Sequence, residues 1–370
     1  MTRRVGLVVA SLVLGLAALA SPDRAVGGVP TRVDSGHSGE YQNPALNRDF
    51  PDPDVIKAAD GWYYAYSTES DTTNGHVNIQ AIKSRDLVHW TYLGDVLPEL
   101  PAWGDKTLVS WAPEVVQHAG RYYLYYSIVP DRLSRDFGLC LAVATADSPA
   151  GPFVTTDEPL YCGPTLADID SDVFHDPVTG HWLVYWGSGG DIVTARLAAD
   201  LTELADPDAD PKLLLRGWSA HIKRPYEHGI EGPFVHRHDG WYYLYYSGDN
   251  CCSYPPHYAT MVARSRSATG PYQRLAATRP GLSSVILHSN DRWKGPGHVS
   301  VIRDEACHDW LVYHAIDSRH PYLRGSDKEA VRRPMLYDRI YYRDGWPVIE
   351  GRSPSTGWLD APVTGTPPLS

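Results

Sequence analysis

The sequence is poor in charge. Only 21% of its 370 residues are Asp, Glu, Lys or Arg, the net charge is −11, and no run of basic residues occurs anywhere. Proteins that track phosphates on nucleic acid or on an anionic membrane need a basic patch or stripe, so neither partner is expected. Long apolar runs are equally absent beyond the first 20 residues. The body of the chain therefore has no candidate for a membrane-spanning helix. Phenylalanine is scarce, with five residues against 24 Tyr and 12 Trp. Tyr and Trp carry a polar handle on an apolar body, which suits aromatic strands packed against one another and faces that contact sugars. Cysteine is limited to Cys140, Cys162, Cys251, Cys252 and Cys307. None has the spacing of a metal site or the setting of a nucleophile, so all five read as structural. The odd count leaves one thiol over. Cys140 and Cys162 are a plausible pair by proximity, and either Cys251 or Cys252 could reach Cys307.

The one apolar run is at the start. Two arginines precede Val5–Ala20, which ends in Ala18-Leu19-Ala20. A basic lead, an apolar core too short to span comfortably and small residues at the end describe a secretory signal peptide over residues 1–20. Residues 21–40 are polar with Gly and Pro and read as a flexible lead-in. Residues 41–362 then form the folded body, with 363–370 as a tail, and export permits disulfides.

Within that body the same phrase recurs five times: DVIKAADGWYYAYST (54–68), EVVQHAGRYYLYYS (114–127), DVFHDPVTGHWLVYWGS (172–188), PFVHRHDGWYYLYYS (233–247) and VSVIRDEACHDWLVYHA (299–315). Its aromatic runs begin at Trp62, Tyr122, Trp182, Trp241 and Trp310, a period close to 60 residues. Such a period marks a repeat architecture. Each copy reads as strand, turn and aromatic strand. A third strand follows at Val77–Lys83, Cys140–Thr145, Val193–Leu197 or Thr260–Ser265. A fourth is rimmed by Trp90, Phe153 or Tyr272. Four-stranded units repeated radially make a β-propeller. The expectation is an all-β, five-bladed propeller around a central funnel.

A propeller brings the starts of its inner strands together on one axis. Blade one offers Asp52-Pro53-Asp54 there, blade two Trp111-Ala112-Pro113-Glu114, blade three Asp168-Ile169-Asp170-Ser171-Asp172, blade four Glu231-Gly232-Pro233 in a tight turn, and blade five Gly297-His298. Carboxylates from several blades around an aromatic-lined funnel suggest glycoside hydrolysis. One protonated acid serves the leaving oxygen and one ionised carboxylate acts from the other face of the sugar. A third carboxylate can hold the acid's proton by its negative charge. The residue before a proline is pushed to extended geometry, so Asp52 would be held rigidly at the strand entrance. Phe50 and Trp111 are candidate sugar contacts.

These motifs resemble glycoside hydrolase family 43 over essentially the whole body. FPDPDVIKAADGWYYAYST is similar to the family's first-blade motif, which implies Asp52 as general base. IDSDVFHDPVTGHWLVYWGS implies Asp170 as the residue that orients the proton donor and raises its pKa. IEGPFVHRHDGWYYLYYS implies Glu231 as general acid. WAPEV and GPGH match two further markers, and Arg333-Pro334-Met335 is like the segment whose arginine contacts the innermost sugar. The family's Ile-Asp-Pro is Ile-Asp-Ser here, which leaves Asp172 or Asp168 as alternatives to Asp170. The resemblance implies single displacement with inversion, no cofactor in the chemistry, and a structural calcium or sodium ion near His298, bound directly or through water. It implies a secreted, monomeric enzyme acting on plant cell-wall polysaccharide, with α-L-arabinofuranosyl linkages of arabinan or arabinoxylan as the leading substrate. β-Xylosidases and galactan-acting enzymes share the same trio. Substrate choice would lie in the rim loops Thr68–His76, Pro130–Phe137, Ser188–Asp191 and Asp249–Tyr258. A non-catalytic sugar-binding propeller would lack one of the trio, and a protein-interaction scaffold would not carry three matched acids.

Overall fold

Every aromatic run is the second strand of an antiparallel sheet, and five such sheets are arranged as the blades of a propeller. The computed structural model describes residues 37–365 except 38, 73–74, 107–109, 132–137, 164–166, 218–224, 279–280 and 324–329. The expected signal peptide, most of the lead-in, most of the tail and most of the Pro130–Phe137 loop lie outside the described residues. In order from the axis outward, blade one is Asp54–Lys57, Tyr63–Ser67, Gln80–Ser84 and Thr91–Asp95. Blade two is Ser110–His118, Arg121–Ile128, Cys140–Ala146 and Val154–Thr155, with Tyr161–Cys162 also on its third strand. Blade three is Asp172–His175, Trp182–Trp186, Ile192–Arg196 and Lys212–Leu215. Blade four is Ile230–His238, Trp241–Asn250, His257–Ser265 and Gln273–Arg274, with Val285–Leu287 beside its third strand. Blade five is Trp293–Arg303, Asp309–Asp317, Met335–Arg343 and Trp346–Ile349. The fourth strands begin just after Trp90, Phe153 and Tyr272, as the sequence suggested.

The aromatic strands show no polar alternation because each blade is covered on both faces by its neighbours. Tyr122, Leu124 and Tyr126 of blade two pack with Tyr64 and Tyr66 of blade one. The intervening Tyr123 and Tyr125 pack with Val184 and Trp186 of blade three. The alternation repeats around the ring: Leu183 and Tyr185 meet Tyr242, Leu244 and Tyr246, while Tyr243 and Tyr245 meet Leu311 and Tyr313. Trp310 and Val312 close the circle on Tyr63 and Ala65. Each central leucine buried this way contributes roughly 1.5–3 kcal/mol.

For five of the buried tyrosines the hydroxyl explains why the residue is Tyr and not Phe. Each blade sends one across a seam to a carbonyl in the connection between the third and fourth strands of the next blade. Tyr66 donates to Pro149 O (2.7 Å), Tyr125 to Leu201 O (2.7 Å) and Tyr185 to Ala268 O (3.1 Å). Tyr243 donates to Gly345 O (2.8 Å) and Tyr337 to Leu87 O (2.7 Å), completing the circuit. A buried carbonyl left without a donor costs about 1–3 kcal/mol, so the tyrosines satisfy the connections that their own packing buries.

The chain ahead of blade one closes the ring without exchanging a strand. Glu40–Tyr41 pairs with Leu359–Asp360. Asn43 Nδ2 donates to Tyr337 O at 3.0 Å and Phe50 N–H to Arg333 O at 3.0 Å, both in blade five. Cys140 and Cys162 form a disulfide between neighbouring strands. The other expected pairing is corrected: Cys251 bonds to Cys252, and Cys307 is a free, exposed thiol. The reason is position along the blade. Cys251 follows the funnel end of Trp241–Asn250, whereas Cys307 lies in the hairpin turn at the outer end of blade five.

Candidate active site

The inner strand of each blade carries a residue that most side chains avoid making. Asp52, Ala112, Asp170, Gly232 and His298 have φ of 53°, 46°, 64°, 56° and 50°, all left-handed, so Asp52 is not extended as its place before Pro53 suggested. They occupy equivalent positions, and in blades two, four and five the strand register shifts there. A non-glycine residue in this conformation is strained by about 1–2 kcal/mol, and the previous blade supplies what holds it. The N–H of Ala112 donates to Thr68 Oγ1 (2.8 Å), that of Asp170 to Ser127 Oγ (3.0 Å) and that of His298 to Ser247 Oγ (2.9 Å). The N–H of Asp52 donates to His314 Nδ1 (3.2 Å). In blades two, four and five a bulge breaks the in–out alternation of the strand, while in blades one and three the left-handed residue lies two positions ahead of the strand.

Two residues further on, the side chains point the other way and stitch neighbouring blades. Asp54 accepts from Val115 N–H and Asp172 from Val235 N–H, each at 2.9 Å, and Ser300 Oγ donates to Pro53 O at 2.9 Å. Asp54 and Glu114 also share a hydrogen bond, and burial pushes the Asp54 carboxyl up to about 7. Burial likewise raises Glu114 and Asp172. Asp54 and Asp172 are thus occupied in the seams and do not compete for the funnel. Asp168 accepts from Trp186 Nε1 at 3.1 Å. The structure brings Asp52 and Asp170 to the axis, with Glu231.

Asp52 is nearly buried and held as a carboxylate. Burial by itself would raise its pKa, but the charge of Arg333, with His298 beside it, outweighs this and holds it well below the usual range. Arg333 Nη1 lies 3.0 Å from Oδ1, with His314 Nδ1 at 3.1 Å and His298 Nδ1 at 3.4 Å. Thr68 Oγ1 donates to Oδ2 at 2.6 Å. Arg333 is itself anchored by its N–H, which donates to Asp49 Oδ1 at 2.8 Å. Burial lowers His314 to about 4, so its ring is neutral near pH 7.

Glu231 stands inside the strand Ile230–His238, not in a turn ahead of it, and a bulge between Glu231 and Phe234 directs it. Tyr258 OH donates to Oε1 at 2.5 Å and Ser188 Oγ to Oε2 at 3.0 Å. Burial raises Tyr258 further, keeping it a neutral donor. Asp170 accepts the N–H of Gly232, the peptide next to Glu231, and so fixes the bulge that carries it. Burial pushes Asp170 up to about 7; His298 opposes this, and the charges of Glu231 and Asp52 add to it. Asp170, Glu231 and His298 each offer a ligand atom, all within 4.8 Å of one another.

The sequence profile of Glycosyl hydrolases family 43 matches residues 41–347, most of the chain and all five blades. The chain belongs to this family. Among its relatives is a probable arabinan endo-1,5-α-L-arabinosidase A of Aspergillus clavatus. It is 28% identical over 323 residues, covering 80% of this chain and 90% of its own. The extracellular exo-α-(1→5)-L-arabinofuranosidase ArbA of Cellvibrio japonicus is 26% identical, covering 82% and 86%. A thermostable family-43 glycoside hydrolase of known structure superposes with a TM-score of 0.68 at 27% identity, over 88% of this chain and 100% of its own. The family-43 protein is accordingly a glycoside hydrolase.

One expected sugar contact is corrected. Phe50 is fully buried beside Tyr63, Val312 and Met335 and supports the funnel wall from behind. Trp111 is half-buried at the start of its strand, and Arg333 meets the carboxylate of Asp52 directly. The side chains that sequence reasoning did not single out are Thr68, Ser188, Tyr258 and His314. Thr68 and His314 follow or end aromatic strands at the position of Ser127 and Ser247, and that shared position was the available signal; Ser188 lies one residue beyond it, after Gly187. Tyr258 had none, since it lies on a third strand.

Proposed function

We propose that this family-43 hydrolase is secreted and cleaves α-L-arabinofuranosyl linkages of arabinan or arabinoxylan by single displacement with inversion. The observation that carries the reading is the unequal state of three converging carboxylates: Asp52 is held ionised, Asp170 is pushed up to about 7, and Glu231 is gripped by two hydroxyls. Asp52 takes a proton from the attacking water while Glu231 delivers one to the departing oxygen. Asp170, bonded to the peptide beside Glu231, positions the acid. Trp111 offers a face to the sugar, and Arg333 reaches the sugar while keeping Asp52 charged.

The substrate assignment draws on the names of the relatives, one an endo-1,5-arabinosidase and one an exo-acting arabinofuranosidase. The second relative is extracellular, which supports secretion. Among the described residues no helix is long and apolar enough to cross a membrane. A calcium or sodium ion suits the oxygen donors here. His298 would hold it, directly or through water, with Asp170 and Glu231 offering ligand atoms within 4.8 Å. When bound it would supply a fixed positive charge beneath the acids.

The test is hydrolysis of aryl α-L-arabinofuranoside, aryl β-D-xyloside and linear arabinan by the wild type and by Glu231→Ala and Asp52→Ala. Arabinose or arabino-oligosaccharide release that is lost in both variants is expected, with NMR showing the inverted anomer first. Activity confined to the xyloside would overturn the substrate. Retention of anomeric configuration would overturn the mechanism.

A further inference from the structure

Cys251 and Cys252 are bonded to each other where the strand Trp241–Asn250 leaves blade four. A bond between chain neighbours crosslinks no distant segments, so it adds little of the loop-closure stabilisation that a disulfide usually brings. What it does is join two polarizable sulfurs into a small closed ring whose Cβ–S–S–Cβ edge is apolar and has no S–H to donate. That ring stands at the active site. Cys252 Sγ lies 3.6 Å from Arg333 Nη1, the same nitrogen that holds Asp52 Oδ1 at 3.0 Å.

Beside this contact a cleft of about 240 Å³ opens between blades one, four and five. One wall is polar, with Asp49, Ser70, His76 and Arg333, and the other is apolar, with Cys252 and Leu323. A sugar ring has the matching character, with C–H faces and a rim of hydroxyls. The cleft shares Arg333 and Pro51 with the surroundings of Asp52, and neither Glu231 nor its partners Ser188 and Tyr258 line it. The acid must stand by the leaving oxygen, so a cleft on the base's side receives what precedes the scissile bond.

We propose that the Cys251–Cys252 disulfide is the apolar wall of a saccharide subsite for the sugar unit on the non-reducing side of the reacting one. The disulfide thereby sets how strongly the enzyme prefers a longer glycone. This rests on the arabinosidase reading above. The ring also backs Arg333, so the subsite and the base are linked through one guanidinium.

The experiment compares kcat/KM on two aryl glycosides, α-L-arabinofuranoside and α-1,5-arabinobioside, which release the same phenol and differ only in the extra glycone unit. The ratio of the second to the first is expected to fall roughly tenfold or more in Cys251→Ala/Cys252→Ala. A fall in the same direction is expected in Leu323→Ala, which tests the cleft should the double variant fail to fold. An unchanged ratio in Leu323→Ala and the double variant, or an equal loss on both substrates, would overturn the subsite. Wild type that hydrolyses neither glycoside would instead overturn the arabinosidase reading, and this inference with it.

Discussion

Replacing Arg333 with Met asks whether the ion pair at the funnel floor sets the working state of the base. Methionine keeps the length and apolar stem of the side chain and removes its charge. With Arg333 Nη1 3.0 Å from Asp52 Oδ1, the attraction at an effective dielectric constant of about 20 is roughly 5.5 kcal/mol, equivalent to about 4 pH units. That is an upper bound, because His298 and His314 remain. Carboxylates beside an arginine are typically depressed by about 1–3 units. The acid limb of kcat/KM against pH, which reports the free enzyme, should therefore move up by about 1–3 pH units.

Stability follows with a defined sign. A carboxylate depressed in the folded state stabilises above its unfolded pKa of about 3.9 and loses that contribution as pH falls through the folded value. Arg333→Met forfeits it, so the variant should unfold more easily at neutral pH, by up to about 3–5 kcal/mol for a broken buried pair. Its acid-side loss should also begin at higher pH. The assay is a profile from pH 3 to 9 on an aryl glycoside, paired with thermal melts. A rate that falls while the acid limb stays where the wild type has it would refute the reasoning, since Arg333 would then touch substrate without governing Asp52.

Asp54→Asn should lessen the fall of melting temperature with rising pH, to which the raised Glu114, Asp170 and Asp172 also contribute. The wild-type carboxyl, pushed up to about 7 by burial, keeps a proton that the unfolded chain releases above about pH 4. Wild-type stability should accordingly decline between those values, and a parallel decline in the variant would remove Asp54 as its source. Tyr125→Phe should cost about 1–3 kcal/mol in chemical denaturation by leaving Leu201 O without its donor; no loss would mean that water replaces the hydroxyl. Alkylation of the folded, unreduced protein should add one label, abolished by Cys307→Ser. Labels on Cys251 or Cys252 would contradict their pairing.

Much of the architecture was legible because the propeller writes itself locally. A strand buried on both faces reads as an unbroken aromatic run such as Trp241–Tyr246, and the regular return of that run counts the blades. The dominance of Tyr over Phe was visible too, although one cause, the circuit of hydroxyls from Tyr66 round to Tyr337, needs the seams to be seen. The three acids could be named because each lies where an inner strand starts.

Which way those acids point was another matter. Asp52 and Asp54 are two residues apart, and simple alternation would put both on one side. The left-handed backbone of Asp52, just ahead of the strand, separates them, sending one to the funnel and one to a seam. That conformation is held by Thr68, Ser127, Ser247 and His314, which arrive from the preceding blade 43–51 residues away in the sequence, or from the far end of the chain. Cysteine pairing failed for the same reason, since the sequence does not say which end of a blade a residue occupies. The sequence by itself determined the repeat, its strands and the chemical groups available to the site. The tertiary structure decided which group is ionised, because ionisation depends on charges and burial contributed by other blades, and those reach a carboxylate only after the ring has closed.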